Sequence, residues 1–182
     1  KKAKVPMPNI YTEFGSYTVG ESMAHIYSVI GQKVQNDREC WYMIDSSFIT
    51  TLPDTWGIGE KFLMLPINKW DNEYQRVVLG GITCDSHDYY DSEEHINEVF
   101  LPKLTNTDPK DAEGNKEPLY VGFFHTGAYQ DQISGYGGIK HCLIPSPKHV
   151  IVEYDKNGKL EDWVYAKEQT AQSMLKILGY LR

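Results

Sequence analysis

The sequence has few cysteines, no long apolar run and no surplus of positive charge. Its three cysteines, Cys40, Cys84 and Cys142, are widely spaced, and no C-x-x-C pair occurs. This odd count argues against a disulfide framework or a closed zinc site, and it favours a reducing, cytoplasmic compartment. The net charge of −7 argues against a nucleic-acid partner, because binding to a phosphate backbone calls for a basic surface.

Apolar segments long enough for a membrane or a signal peptide are also missing. The longest apolar run, FLMLPI at 62–67, is far too short to cross a bilayer, so no membrane partner is expected. The first residues, KKAKVPMPNIY, contain no apolar segment of the kind that signal peptides carry. The 182 residues match the size of one domain. Because the chain begins without methionine and enters a strand-like run early, we expect it to be a piece of a longer polypeptide.

The apolar residues that are present follow the pattern of strands rather than helices. They alternate or form short blocks between Gly, Pro, Asn and Asp. The predicted strands are Asn9–Thr12, Ala24–Val34, Glu39–Ile44, Lys61–Ile67, Gln75–Thr83, Leu119–Phe124, His141–Ile144, Val150–Tyr154 and Trp163–Tyr165.

Turns and one helix complete the predicted fold. Asn157-Gly158 indicates a hairpin turn, and the segment LPDTWGIGE at 52–60 is compatible with a helical turn. Residues 167–178 predict an amphipathic helix, with an apolar face made by Ala171, Met174, Leu175 and Leu178. Strands in succession with one terminal helix predict a mainly β fold, an antiparallel β-barrel or sandwich with a short C-terminal helix.

The stretch CDSHD places five polar or reactive side chains directly after a predicted strand. Cys84, Asp85, His87 and Asp88 could each bind a metal, but alternation along a strand would send Cys84 and Asp88 to one face and the other two to the opposite face. We therefore predict no metal here. Asp85 should raise the pKa of the Cys84 thiol, which favours a proton donor over a nucleophile. A buried structural cysteine before a solvated turn is the alternative.

Three further stretches carry candidate site residues. Gly127-Ala128-Tyr129 follows a strand and could bind an anion through its backbone and the Tyr129 hydroxyl, although a plain tight turn explains the same residues. Glu13 and Gly15 end a predicted strand in a pattern compatible with a cofactor site, but common elsewhere. Asp45 interrupts an apolar strand, which is costly unless the carboxylate has a partner or a function.

Taken together, these stretches resemble one family. TCDSHD followed by GAYQ is similar to the C-terminal β-domain of pyridoxal-phosphate decarboxylases that act on basic amino acids, the alanine-racemase-like, fold-type-III enzymes. LPDTWGIGEKFLMLPINKW and PLYVGFFHTGAYQ are most similar to biosynthetic arginine decarboxylase. The resemblance extends from about Ile10 to about Val152.

The resemblance implies a parent of two domains. Residues 1–20 would be the last strand and edge of a (β/α)8 barrel that is otherwise missing, 21–166 the β-barrel or sandwich domain, and 167–182 the C-terminal helix. The barrel would hold pyridoxal 5'-phosphate on a lysine Schiff base. No lysine of this sequence has a matching context, so the chain alone is expected to be inactive. Its expected partners are a basic amino acid, its own N-terminal barrel and further copies in a homodimer or higher homo-oligomer.

The resemblance also implies a role for each site residue. Cys84 would protonate Cα of the substrate after carbon dioxide leaves, acting across the dimer interface, and Asp85 and Asp45 would bind the cationic end of the substrate. Tyr129 would bond the cofactor phosphate. Glu13, followed by Gly15, would pair with the pyridinium nitrogen.

The chain departs from the family pattern at Ser16, where the family commonly has arginine. With serine at this position, phosphate binding near Glu13 and Gly15 would weaken or move to another group. The alternatives are another decarboxylase of the family, acting on ornithine, diaminopimelate or carboxynorspermidine, or a β-domain without catalysis that binds a partner. A metal-dependent hydrolase built on Cys84, Asp85 and His87 is a third.

Overall fold

The computed structural model describes residues 5–37, 39–91, 99–105, 108, 110, 113–134 and 137–181. Within them lie ten strands: β1 (Ala24–Asn36), β2 (Glu39–Ile44), β3 (Leu63–Pro66), β4 (Tyr74–Arg76), β5 (Val78–Gly80), β6 (Tyr89–Tyr90), β7 (Phe100–Pro102), β8 (Leu119–Phe124), β9 (His149–Tyr154) and β10 (Leu160–Ala166). The helices are α1 (Gly15–Val19), α2 (Phe48–Thr51), α3 (Asp54–Gly57), α4 (Asp131–Ser134) and α5 (Ala171–Ile177), with 3-10 turns at Gly20–Ser22 and His141–Leu143.

The main sheet has six strands in the order β3-β8-β1-β2-β5-β6 and curls into a half-barrel. Its ladders are antiparallel except between β2 and β5, which run parallel. Two smaller antiparallel pairs, β4–β7 and β9–β10, lie outside this sheet. The mainly β fold with a short C-terminal helix is confirmed.

Period-two alternation decides which face of the sheet forms the core. In β1, His25, Tyr27 and Val29 point inward and are buried, while the residues between them are more exposed. Aromatic rings then fill the inside of the curl. Tyr27, Phe48 and Phe123 pack edge to face with centroid distances of 5.6 to 5.8 Å, and Tyr90 meets Phe123 at 5.0 Å.

Several predicted elements are confirmed. β2 and β8 have their predicted bounds, and the predicted strands that begin at Ala24, Lys61, Val150 and Trp163 correspond to β1, β3, β9 and β10. Asn157-Gly158 lies in the tight turn between β9 and β10, with Gly158 at φ 78°. The helical turn within 52–60 is α3. The terminal helix is shorter than predicted, because the Thr170 side chain caps it by accepting a hydrogen bond from Ser173 N.

Three strand predictions are wrong. Asn9–Thr12 forms no strand, because no strand of the described part of the chain lies beside these exposed residues to complete a hydrogen-bond ladder. Gln75–Thr83 divides into β4 and β5, which pair with different strands, and it ends at Gly80. His141–Ile144 begins a 3-10 turn in which Cys142 has a φ of 51°. Such left-handed backbone cannot continue a strand.

No helix in the described part of the chain is long and apolar enough to cross a membrane. The acidic stretch DSEEHINE at 91–98, whose charge predicts a solvated face, lies outside the described residues from 92 onwards.

Candidate functional site

The turn between β5 and β6 carries Cys84 and is held from inside by one buried carboxylate. Asp88 Oδ1 accepts a hydrogen bond of 2.8 Å from Phe48 N, and Asp88 Oδ2 accepts from Thr83 N at 3.0 Å and Thr83 Oγ1 at 2.6 Å. A Cβ added at Gly81 would collide with this carboxylate. The turn therefore has a fixed shape, and Asp88 is a structural acceptor inside it.

Cys84 lies on the exposed side of this turn and not on a strand. The predicted alternation that would separate Cys84 from Asp85 and His87 therefore does not apply. Cys84 Sγ lies 3.5 Å from Cys142 Sγ, and this thiol contact raises the pKa of Cys84, to which the Asp85 carboxylate adds a smaller increase. The expected direction of the Cys84 shift is thus present, but its main cause is Cys142.

Asp85 contributes to the local geometry of the same turn. Its Oδ1 accepts a 2.8 Å hydrogen bond from His87 N and lies 3.5 Å from His87 Nδ1. The Asp85 side chain is partly exposed, so a cationic group could reach it. Among the residues of CDSHD, Asp85 and His87 face each other, while Asp88 turns inward.

Asp45 lies beside this turn, at the end of β2. It is exposed, and its two carboxylate oxygens accept hydrogen bonds from Ser28 N at 3.1 Å and from Ser28 Oγ at 2.6 Å. The next residue along, Ser46, accepts a hydrogen bond of 3.1 Å from Ile82 N through its backbone oxygen. The segments that carry Asp45 and Cys84 therefore meet, and Asp45 has the partner that its position required.

Tyr129 lies on the loop between β8 and α4. It is exposed and has a φ of 64°, a strained conformation for a tyrosine. The next residue, Gln130, is buried, and its amide donates hydrogen bonds of 2.9 Å to Asp54 Oδ2 and to Ala128 O. Gln130 thus joins two stretches of the sequence resemblance, GAYQ and LPDTWGIG, and it fixes the loop that presents Tyr129.

The segment that carries Glu13 and Gly15 reaches the same loop. Gly127 N donates a 2.9 Å hydrogen bond to Gly20 O, and a Cβ at Gly127 would collide with Val19 O. Gly127 is therefore needed for close packing of the residues after α1. Gly15 begins α1, and Glu13 is exposed in the irregular segment before it. The structure thus brings the segment that follows Glu13 and Gly15 against the loop that carries Tyr129.

Sequence reasoning missed two residues at this site, His141 and Cys142. A ring nitrogen of His141, Cys142 Sγ and Cys84 Sγ all lie within 4.8 Å of one another. All three residues are exposed. Cys84 and Cys142 are 58 residues apart, so no local spacing could reveal their contact. The only signal was the adjacency of a histidine and a cysteine at 141 and 142.

Comparison with known proteins places these stretches in one family. No family model matches the chain. The chain is 34% identical over 142 residues to the biosynthetic arginine decarboxylase of Marinobacter nauticus and 32% identical over 136 residues to that of Proteus mirabilis. These matches cover 76% and 74% of this chain, and 20% of each relative. The chain is homologous to part of the biosynthetic arginine decarboxylases. The sequence resemblance is confirmed, and the chain spans about a fifth of the length of these relatives.

Solved structures agree with this assignment. The biosynthetic arginine decarboxylase of Campylobacter jejuni superposes with a TM-score of 0.59 and 29% identity, over 78% of this chain and 22% of that chain. Diaminopimelate decarboxylase of Helicobacter pylori, solved with L-lysine, gives a TM-score of 0.63 at 16% identity, over 90% of this chain and 34% of its own. The second likeness shows the fold alone.

Proposed function

We propose that this chain is the C-terminal β-domain of a pyridoxal-phosphate-dependent arginine decarboxylase. The complete enzyme would convert L-arginine and a proton to agmatine and carbon dioxide, a step of polyamine synthesis in the cytoplasm. An N-terminal barrel would supply the cofactor lysine, with residues 1–20 at its edge, and the chain alone would be inactive. Two subunits would pair, so that Cys84 and Asp85 of one serve the site of the other.

The observation that carries this proposal is the identity to biosynthetic arginine decarboxylases over three quarters of the chain. The geometry supports it, because contacts join the motif segments in pairs: the turn with Cys84 meets the end of β2, and the Tyr129 loop meets both α3 and the segment after α1. The chain thus holds two groups of motif residues in place: Cys84, Asp85 and Asp45 in one, and Tyr129, Glu13 and Gly15 in the other.

The residues present fit pyridoxal phosphate. The Tyr129 hydroxyl is exposed on a loop whose backbone is fixed by Gln130, so it can donate a hydrogen bond to a phosphate. The exposed Glu13 carboxylate can pair with a protonated ring nitrogen, and a Cβ added at Gly15 would meet no atom within 4 Å. When bound, the cofactor supplies an electron sink for loss of the carboxylate.

The roles of the chain's own residues follow from their chemistry. Asp85 and Asp45 would bind the guanidinium group of arginine, since paired carboxylates suit its planar array of donors. Their segments are joined by the hydrogen bond from Ile82 to Ser46. Cys84 would then deliver a proton to Cα after carbon dioxide leaves, from an exposed turn that Asp88 holds in place.

Replacing Cys84 with alanine in the full-length enzyme tests the assigned proton transfer. We expect agmatine formation to fall by about 10²–10⁴-fold, the usual contribution of a general acid. The matched control is Cys40→Ala on β2, which should leave agmatine formation unchanged. Unchanged agmatine formation by the Cys84 variant would exclude this role.

A comparison of substrates tests the choice of arginine. The unmodified enzyme should turn over arginine faster than ornithine, diaminopimelate or carboxynorspermidine, with decarboxylation followed by release of carbon dioxide. Preference for one of the other three would reassign the substrate within the family. A chain that is encoded without any preceding barrel would instead favour a β-domain that binds a partner without catalysis.

A further inference from the structure

The contact between Cys84, His141 and Cys142 brings together three side chains that are typical zinc ligands. Thiolate sulfur and imidazole nitrogen are the donors that structural and catalytic zinc sites prefer. All three side chains are exposed, so a hydrated cation can reach them. Asp85, next to Cys84, adds a negative charge close to the cluster.

We propose that Cys84, His141 and Cys142 form a binding site for a thiophilic divalent cation such as Zn²⁺. Two sulfur atoms bound to one tetrahedral zinc ion at about 2.3 Å lie about 3.8 Å apart. The measured distance between the Cys84 and Cys142 sulfur atoms is 3.5 Å, so a small separation of the two thiols would admit the ion. The site rests on this geometry and not on the proposed decarboxylase activity. A bound ion would hold Cys84 as a thiolate and would therefore prevent it from acting as the proposed proton donor.

The backbone at 141–143 explains how two consecutive residues reach the same ion. In a strand, neighbouring side chains point to opposite faces. Here His141 and Cys142 lie in a 3-10 turn, and Cys142 and Leu143 have φ angles of 51° and 57°. Left-handed backbone at two consecutive residues other than glycine costs roughly 1–2 kcal/mol each. Strain of this kind is concentrated at functional sites.

A buried ion pair anchors the turn that carries these ligands. Lys140, the residue before His141, is buried and forms an ion pair with Asp131, which is also buried. His149 Nε2 lies 3.2 Å from the same carboxylate. Leu143 N donates a 2.9 Å hydrogen bond to Lys140 O and closes the turn. On the other side, Asp88 holds the turn with Cys84, so both halves of the site are fixed before the ion binds.

Binding follows a balanced exchange of ligands. The two thiols release two protons to solvent, and two thiolate sulfurs and one imidazole nitrogen displace all but one of the water molecules of the hydrated ion. That last water stays bound, because three protein ligands leave one tetrahedral position open. The Zn²⁺ charge is then neutralised by the two thiolates.

Zinc titration of the 182-residue chain against a chromophoric chelator, with a phosphine reductant present, tests the site. We expect one Zn²⁺ per chain. Cys84→Ser, Cys142→Ser and His141→Ala should each weaken binding by more than about 100-fold, the upper end of the effect of an outer-shell partner. The controls are Cys40→Ser and His87→Ala, which should both bind zinc as the unmodified chain does. Cys40 lies on β2, with its sulfur near the side chains of Gln32 and Gln75, and the ring of His87 faces Asp85.

Alkylation of the unmodified chain gives a second measurement that needs no variant. Zinc should slow the reaction of Cys84 and Cys142 with iodoacetamide, as measured by mass spectrometry of their peptides, and should leave the rate at Cys40 unchanged. Absence of stoichiometric zinc, or equal protection of all three cysteines, would overturn the proposal. The proposal would also be overturned if His87→Ala lost zinc binding while His141→Ala kept it, because the ion would then lie at CDSHD.

Discussion

At the scale of single residues, burial changes the pH at which His25 takes up a proton. It is 6% exposed on the inner face of β1, and its Nδ1 lies 2.8 Å from Thr126 Oγ1. Burial lowers the pKa of His25 to about 4; Asp131 opposes this change, while Lys140 and His149 add to it. His25 therefore stays mostly neutral in the folded chain until the pH falls to about 4, whereas a histidine of the unfolded chain is half protonated near pH 6.5.

The stability of the chain should consequently fall with decreasing pH. Because the folded pKa is lower than the unfolded one, the unfolded chain binds the proton first, and the contribution of His25 is lost as pH falls from about 6.5 to about 4. The expected loss is about 3 kcal/mol. Urea unfolding at several pH values should show a smaller loss in His25→Gln, which can keep a hydrogen bond to Thr126. His125→Asn, at an exposed position, should match the unmodified chain, and an equal pH dependence in all three proteins would contradict this explanation.

At the scale of elements, the turn between β5 and β6 depends on the two oxygens of Asp88. Each accepts a backbone N–H, from Phe48 on one side and from Thr83 on the other. In Asp88→Asn, one oxygen becomes an NH₂ group that cannot accept, so a buried donor loses its partner. We expect the free energy of unfolding to fall by about 1–3 kcal/mol.

Urea unfolding of Asp88→Asn measures this loss. Asp162→Asn makes the same chemical change at an exposed position of β10 and should alter stability by less than about 0.5 kcal/mol. If the two variants unfolded with the same free energy, Asp88 would not be the residue that holds the turn.

The elements also show where sequence patterns succeed. Three of the confirmed strands are central in the sheet, namely β1, β2 and β8. Because central strands are buried, their residues alternate between apolar and polar or are mostly apolar, and a sequence pattern detects this well. His141–Ile144 has similar apolar content, but the buried Lys140–Asp131 pair and the left-handed Cys142 impose a turn. The apolar content of His141–Ile144 reveals neither the pairing of Lys140 with Asp131 nor the left-handed φ of Cys142, so it could not predict the turn.

The candidate site shows the same division between local and tertiary information. Resemblance selected Cys84, Asp85, Asp45, Tyr129, Glu13 and Gly15, and their roles stay predictions. The contacts that position them, from Asp88 to Phe48 and from Gln130 to Asp54, join residues 40 and 76 positions apart. The pairing of Cys84 with Cys142 has the same character. The two cysteines are 58 residues apart, so no local pattern within CDSHD could contain their contact.

At the scale of the whole molecule, the outer face of the sheet at β1, β8 and β3 is apolar and exposed. Ile26 and Leu65 both lie opposite Gly122 in the strand register, one on each side, and they are 51% and 38% exposed. The side chains of Ile26, Ile67 and Phe124 gather over Gly122, which has no side chain of its own. An exposed face of this kind usually marks a contact with another polypeptide.

The isolated chain should therefore self-associate through this outer face. Sedimentation velocity over a range of concentrations should detect species larger than one chain, and Leu65→Lys should shift the distribution towards the monomer, because a charged ammonium group resists burial without a partner. Gln172→Lys adds the same charge at an exposed position of α5 and should leave association unchanged. A chain that stays monomeric at every concentration, or a Leu65→Lys variant that associates like the unmodified chain, would show that this face is not the contact.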